Sequence, residues 1–486
     1  MPEIKIFKNY INGKWLESAV NKRFEQRNPA RLSEVTGLFP LATIDEALKA
    51  IESAQNAFPY WKALSPYKRA EYLNKVLALM KERKEVISRI LTLENGKILS
   101  DSLIEIDSAI NEMDFQINEG LRLFGDTVPV SIDGVLAYTV KEPIGVVSII
   151  SPWNFPFNVP IRKSTPALMA GNTCIFKPAS LTPQTGYMLT GLFHDAGIPA
   201  GVFNMITGPG REVGNILVTD PRIKAISFTG STEVGMGIHQ KAAVNATRTQ
   251  LELGGKNAAV ILEDADIDAA VKAVVRAAFA CSGQWCASTS RVIVVKKIAK
   301  EFTEKVIKAT REIIVGDGFD KNTGMGPVCG TDQVESIMKY IEIGKKEGAV
   351  LLAGGNKLTG NDFKDGCFIE PTLFGNVKPD MKIAQEEIFG PVLSVIEVEN
   401  LEEAVKVSNN IVFGLCSSVF TNNLNHAMTF IEKTEVGFTH VNLMTSLKEP
   451  QLPFGGIKES GVGLPEAGKT GIEFFIKYKS VYMKYK

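Results

Sequence analysis

The 486-residue sequence predicts an α/β fold with two alternating regions and a small β arm. Three observations point there. From Gly145 onward, short apolar runs recur roughly every 25–30 residues with helical stretches between them, the spacing of right-handed βαβ units and a parallel sheet. A second alternating region follows Glu252-Leu-Gly-Gly-Lys256. Residues 123–142 and the C-terminal stretch instead alternate with period two, as paired strands do.

A chain this long holds two or three compact cores. The expected division is 1–122 with 143–253, then 254–458, then 123–142 with 459–486. Tyr10–Trp15 reads as a hairpin turning at Asn12-Gly13. Thr43 and Glu46 have capping-box spacing, and Ala47, Ile51, Ala54 and Phe58 follow on one helical face. Ser65-Pro66 opens another helix, whose apolar face carries Ala70, Leu73, Val76, Leu77 and Met80. A third helix runs to Leu93, ahead of Asn95-Gly96. Thr127–Val130 and Leu136–Val140 form a hairpin arm that needs a partner edge, and the run from Phe474 to Tyr485 can supply it.

Strands are expected at Val146–Ile150, Thr173–Phe176, Val202–Ile206 and Ala225–Phe228, with helices over 159–169 and 182–196. The second region has strands at Ala258–Leu262, Val292–Val295, Ala349–Leu352 and Val392–Val398. Its helices lie over 267–280, 299–314 and 331–347. No repeat or low-complexity linker separates the regions, so they are expected to pack closely.

Composition narrows the chemistry. Lys+Arg and Asp+Glu both number 54, so no excess of positive charge favours nucleic acid or an anionic membrane. No run approaches the ~18 apolar residues of a membrane span, and the first residues show no signal-peptide pattern. A cytoplasmic protein is expected. The six cysteines lack a disulfide framework, and the four histidines lack metal-ligand spacing, so no metal is expected.

Four segments fall at C-terminal strand ends, where open parallel sheets bind ligands: 151–156, 177–180, 207–210 and 229–235. Gly208-Pro-Gly210-Arg-Glu-Val-Gly214 approximates a dinucleotide fingerprint, with one residue too many before the last Gly. Thr229-Gly-Ser-Thr-Glu-Val-Gly235 opens a helix and offers amides and the Ser231 hydroxyl to a phosphate. Lys177 with Ser180 lacks the acid that holds a ribose diol and so tolerates a 2′-phosphate, which favours NADP over NAD. Cys286 sits on a turn before an apolar strand, as a nucleophile would. A thiol needs a base. Glu252, between two leucines, is either an exposed strand residue or a desolvated base. Asn154 and the Cys286 amide can donate to an oxyanion. Cys281 reads as core packing.

Glu252-Leu-Gly-Gly-Lys256 and Gly283-Gln-Trp-Cys286, with Pro152–Pro156, Lys177–Ser180, Phe228–Gly235, Glu386–Pro391 and Pro453–Gly456, occur in the order of the aldehyde dehydrogenase superfamily. The whole chain resembles that family. The resemblance implies a Rossmann-like cofactor domain, a second α/β catalytic domain and a β oligomerisation arm. It implies that Cys286 attacks an aldehyde, that Asn154 and the Cys286 amide hold the oxyanion, and that Glu252 activates water to release the acid. It assigns the cofactor to Trp153, Asn154, Lys177, Pro178, Ala179, Ser180, Gly210, Gly230, Ser231, Leu253, Glu387 and Phe389, and the substrate to Asn154, Arg162, Trp285 and Ser446. The cofactor is NADP or NAD, and a homodimer or homotetramer is implied.

Arg162 matches an arginine that grips the distal carboxylate in succinate-semialdehyde enzymes, whereas the second arginine of that clamp is Ala280 here. Succinate semialdehyde, 2,5-dioxopentanoate and glyceraldehyde stay open as substrates. The loop from Met444 to Leu452 should line the entrance and contribute Ser446 or Lys448. A CoA-acylating enzyme would not need Glu252. A catalytically silent family member would have lost Cys286, Glu252 or Asn154. A cofactor-free cysteine hydrolase would pair its Cys with a His.

Overall fold

The computed structural model describes residues 4–360 and 362–486. Two large sheets carry the chain. The first has eight strands in the order Lys14–Leu16, Asn9–Ile11, Phe203–Met205, Thr173–Lys177, Val146–Ile150, Ile223–Thr229, Arg248–Glu252 and Gly461–Val462. Its five central strands are parallel and its edges antiparallel. Counted from Val146–Ile150, the central order is 3-2-1-4-5, so the chain reverses direction across the sheet beside that strand. Such a switch point opens a crevice beyond the strand ends. The loop after Val146–Ile150 carries Trp153 and Asn154, and the loop after Ile223–Thr229 carries Gly230 and Ser231.

The second sheet runs Val350–Ala353, Thr372–Gly375, Val392–Val398, Thr289–Val295, Asn257–Ile261, Cys416–Phe420 and Phe438–Val441, parallel except for the first strand. A three-stranded sheet joins Thr127–Val128, Val135–Pro143 and Ile476–Lys484. The arm thus pairs with the C-terminal strand, as the alternation predicted. The segment before that strand behaves differently: Gly461–Val462 pairs with Leu251 and Glu252 at the edge of the first sheet.

Local signals read correctly where they were strong. Thr43 and Glu46 form a reciprocal capping box for Ile44–Ala63, and Ser65 caps Pro66–Glu82. Asn12 and Gly13 both have positive φ, as a two-residue hairpin turn requires. One 22-residue helix, Leu99–Gly120, had no sequence signal. Its N-cap is Ile98, with no side-chain cap, and its buried face includes Asp101, Glu105 and Glu112 among the apolar residues. Buried acids break the apolar stripe on which helix periodicity depends. The strands Cys416–Phe420 and Phe438–Val441 were missed for a related reason. Ser417 and Ser418 are fully buried, and the Ser417 hydroxyl lies 2.8 Å from that of Thr439 on the neighbouring strand.

Leu99–Gly120 packs on Asn158–Met169, the helix that follows the Asn154 loop. Glu105 on the first accepts the backbone N–H groups of Phe157 and Asn158 at 3.0 and 3.1 Å. Lys97 closes the junction: its ammonium, fully buried, donates to Glu105 and to the Asn154 carbonyl, both at 2.7 Å. Among the described residues no helix is long and apolar enough to cross a membrane. Replacing Lys97 with Met leaves Glu105 buried without its cation and should cost about 3–5 kcal/mol. Chemical denaturation of Lys97→Met beside Lys97→Met/Glu105→Gln checks this; the double variant should recover part of the loss.

Candidate active site

Cys286 lies on the turn that precedes Thr289–Val295. The approach to it is unusual. Cys281, Ser282 and Gly283 all have left-handed backbones, with φ of 50°, 57° and 68°. For Cys and Ser that conformation costs roughly 1–2 kcal/mol each. Hydrogen bonds hold it in place. The Cys281 N–H donates to Asp101 at 3.2 Å, the Ser282 hydroxyl to the Gly326 carbonyl at 2.8 Å, and the Gln284 amide to the Cys281 carbonyl at 3.1 Å. Gly283 is there for space as well as φ: a Cβ would lie 2.2 Å from the Gly390 carbonyl oxygen.

The thiol of Cys286 opens on a cavity of about 210 Å³ shared with Asn154, Arg162, Trp285, Ser446 and Lys448. Asn257 donates to the Cys286 carbonyl at 2.7 Å. Among the described residues the Cys286 N–H donates to no protein acceptor. Asn154 spends one amide hydrogen on the Gln284 carbonyl at 3.1 Å, which leaves the other free. Burial pushes the Cys286 thiol up to about 12, Arg162 pulls it down, and Glu252 and Glu387 push it up again.

Glu252 ends its strand and is buried, so the reading of an exposed strand residue does not hold. Its Oε2 has no hydrogen-bond partner. A Cβ at position 455 would lie 2.8 Å from its other oxygen, so Gly455 makes room for the carboxylate. Its proton affinity is raised well above that of an ordinary carboxylate, first by burial and then by the Glu466 charge, while Arg162 and Lys163 oppose. Glu466 is a residue the sequence did not single out. It is buried, pairs with Lys163, lies 2.9 Å from Arg162 Nε off the hydrogen-bonding direction, and is 3.4 Å from the Thr229 hydroxyl. Arg162 also stacks over Phe454, 4.5 Å from the ring centre.

The cofactor candidates divide between two places. Lys177 ends Thr173–Lys177 and is buried; no carboxylate pairs with it, and burial lowers its ammonium to about 8. It lines a groove of about 410 Å³ with Gly210, Gly214, Arg211 and Lys241, and no acid faces that groove. Three cations and glycine backbone suit an anionic dinucleotide. Arg211 was not singled out, because only the glycines of its segment fitted a dinucleotide fingerprint; it lies on the π-turn Gly210–Gly214. Ser180 is exposed and faces a separate groove with Glu25 and Thr331. Pro178 is buried and Ala179 half-buried between the two.

Ser231 is the N-cap position of Thr232–Ala243 and makes no side-chain cap bond. The Gly230 N–H is already given to the Glu252 carbonyl at 3.1 Å, so it is not free for a phosphate. Leu253 packs beside Gly235, where a Cβ would lie 2.3 Å from it. Trp153 meets Phe389 edge-on, 5.3 Å between centres. Glu387 accepts the Gly255 N–H at 2.9 Å, and burial raises its carboxyl to about 7. Nearby Lys256 is buried without a hydrogen-bond partner and lowered to about 7, chiefly by burial.

The family model of the aldehyde dehydrogenase family matches residues 15–481. The chain belongs to the aldehyde dehydrogenase family. It is an NAD(P)-dependent oxidoreductase that oxidises an aldehyde. It is 39% identical over 482 residues to the α-ketoglutaric semialdehyde dehydrogenase of Bacillus subtilis, covering 99% of each chain. It is 39% identical over 472 residues to the 2,5-dioxopentanoate dehydrogenase of Saccharolobus solfataricus, covering 96% of this chain and 98% of that one. A solved betaine aldehyde dehydrogenase from Staphylococcus aureus, in complex with NAD+, superposes with a TM-score of 0.96 at 34% identity, covering 99% of this dehydrogenase and 95% of that chain.

The left-handed turn gives a direct test. Gly283→Ala should destabilise the dehydrogenase by more than the ~1–2 kcal/mol that φ alone costs, because the Gly390 carbonyl blocks the added carbon. A melting temperature equal to that of the parent would show that the turn relaxes freely.

Proposed function

We propose that this dehydrogenase converts 2,5-dioxopentanoate, or a close anionic semialdehyde, to the corresponding acid, with NADP preferred over NAD and with Cys286 as nucleophile. The observation that carries this reading is the cavity itself. It brings a thiol, a free amide hydrogen and a free backbone N–H together under the cations Arg162 and Lys448. The names of the relatives in Bacillus subtilis and Saccharolobus solfataricus support the same substrate.

The proposed sequence starts with the thiol. Cys286 must lose a proton that burial holds tightly, and Glu252 is the base with raised affinity to take it. The Cys286 sulfur adds to the aldehyde carbon, and the oxyanion is met by the Cys286 N–H and the Asn154 amide. The chemistry the nicotinamide cofactor supplies when bound is acceptance of a hydride. Cys286 then carries the acyl group as a thioester. Glu252 first gives up the Cys286 proton to solvent and then takes one from water, whose oxygen attacks the thioester carbon; the acid leaves and the Cys286 sulfur takes that proton back. Glu252 would serve no hydrolysis in a CoA-acylating enzyme, so its buried place favours the acid as product.

The cofactor would be held by Trp153, Lys177, Pro178, Ala179, Gly210, Ser231, Leu253, Glu387 and Phe389. Arg211 and Lys177 are the cations for a 2′-phosphate, with Ser180 outside their groove. Residues 1–122 and 143–253 would form the dinucleotide-binding domain, with 254–458 the catalytic one. The strand Ile476–Lys484 leaves Tyr478, Tyr482 and Met483 exposed, which supports a homodimer or homotetramer through the arm. The cytoplasm is the proposed location.

Cys286→Ala should abolish reduction of NADP by 2,5-dioxopentanoate. Glu252→Gln should slow both the first turnover of cofactor reduction and the release of acid, because one carboxylate serves the thiol and the water; an unchanged first turnover would confine Glu252 to hydrolysis. In the parent, the hydrolytic step should speed up as pH rises, since a carboxyl of raised proton affinity gains its basic form at higher pH than an ordinary carboxylate. Arg211→Ala should raise KM for NADP roughly tenfold more than KM for NAD. Equal changes for the two cofactors would remove Arg211 from phosphate binding.

A further inference from the structure

We propose that Lys448, together with the Ser446 hydroxyl, completes with Arg162 a subsite for the far carboxylate of the substrate, taking the place of the arginine that Ala280 lacks. The proposal rests on the semialdehyde reading above and names the residues that enforce it.

Ala280 lines a groove between the helices Ile267–Phe279 and Lys296–Arg311, not the cavity of the thiol. Arg276, one turn earlier, also lines the thiol cavity, but its side chain is open to solvent where it pairs with Asp101. Lys448 is the more enclosed cation, although Glu112 pairs with it. Its Nζ lies 2.7 Å from Glu112 Oε2 and 3.5 Å from Asn158 Oδ1. Asn158 is four residues before Arg162 on one helix, hence on the same face and about 6 Å along the axis. Lys448 therefore sits roughly one helical turn from Arg162, a separation a carboxylate can bridge.

While Glu252 holds its proton, the charge balance leaves room for an anion: Lys448, Arg162 and Lys163 then share two paired carboxylates, Glu112 and Glu466, all five largely out of water. Burial lowers the Lys448 ammonium, and Arg162 adds to the lowering although Glu112 opposes it. A substrate carboxylate between the two cations removes that repulsion. An independent observation points to the same spot. The Ser446 hydroxyl lines the cavity, is buried, and has no hydrogen-bond partner. A buried hydroxyl left unpaired costs stability that a bound carboxylate oxygen recovers.

The test compares 2,5-dioxopentanoate with pentanal, which has the same chain length and no charge. In Lys448→Met, kcat/KM for 2,5-dioxopentanoate should fall about tenfold or more beyond any fall for pentanal, with the difference in KM. Lys448→Arg should restore most of it. Lys448→Met/Glu112→Gln removes the stranded buried carboxylate as well; it should show the same selectivity and guards against misfolding of the single variant. The product 2-oxoglutarate should inhibit the parent, and its inhibition constant should rise by a similar factor in Lys448→Met. Equal losses for both aldehydes, or no loss for either, would overturn the proposal. If the parent prefers pentanal, the substrate reading fails by itself. Lys448 is then judged on 2-oxoglutarate inhibition alone, and an unchanged constant overturns it.

Discussion

A single buried ion pair fixes the site. Lys97 and Glu105 have no exposed side-chain surface, so their charges survive only by satisfying one another and the backbone around them. Glu105 takes two backbone N–H groups at the start of Asn158–Met169, and Lys97 takes the Asn154 carbonyl. The ring of Phe155 lies 4.2 Å from the Lys97 ammonium and shuts out water. The loop that carries Asn154 is thus pinned at both ends of its bend. Such fixed placement is what the oxyanion role proposed for the Asn154 amide requires.

Glu466 plays the matching part on the other side. It holds Lys163 and Arg162 beside Glu252, and its own negative charge keeps the Glu252 carboxyl reluctant to ionise. The two effects pull in opposite directions. The cations alone would make Glu252 a weak base, and burial alone would leave it permanently protonated. Together they leave a carboxyl whose proton affinity is raised yet whose charged form is still favoured by the Arg162 and Lys163 charges.

The sequence carried most of the fold where one face of an element is apolar and its ends are capped. It carried less where polarity is buried. Leu99–Gly120 hides Asp101, Glu105 and Glu112 on its inner face, and Ser417 and Ser418 sit in the middle of a sheet. Those groups look solvent-facing until a partner from a distant segment is known. The candidate site follows the same rule. Cys286, Glu252 and Asn154 stand out as candidates because their motifs are local. Glu466, Lys97 and Arg211 do not, because each acts across more than 50 residues of chain or from a segment with no periodicity. Ser180 illustrates the converse: its neighbour in sequence, Lys177, faces one groove while it faces another.

The two cysteines near the site show how burial decides between similar groups. Burial raises the thiols of both Cys281 and Cys286 to about 12, so neither is a ready thiolate. What differs is the surrounding charge. Cys281 lies 3.8 Å from the Asp101 carboxylate, and the pull of Lys97 on it is offset by Asp101 and Glu105. Cys286 faces Arg162, with Glu252 close enough to feel its charge. An anionic substrate that bridges Arg162 and Lys448 would weaken that pull on the thiolate while bringing the carbonyl into place. Proton removal from Cys286 would then depend on Glu252 and on the oxyanion donors more than on the cations. Such an enzyme would keep its thiol protonated, and so resistant to oxidation, until an aldehyde carbon is within bonding reach.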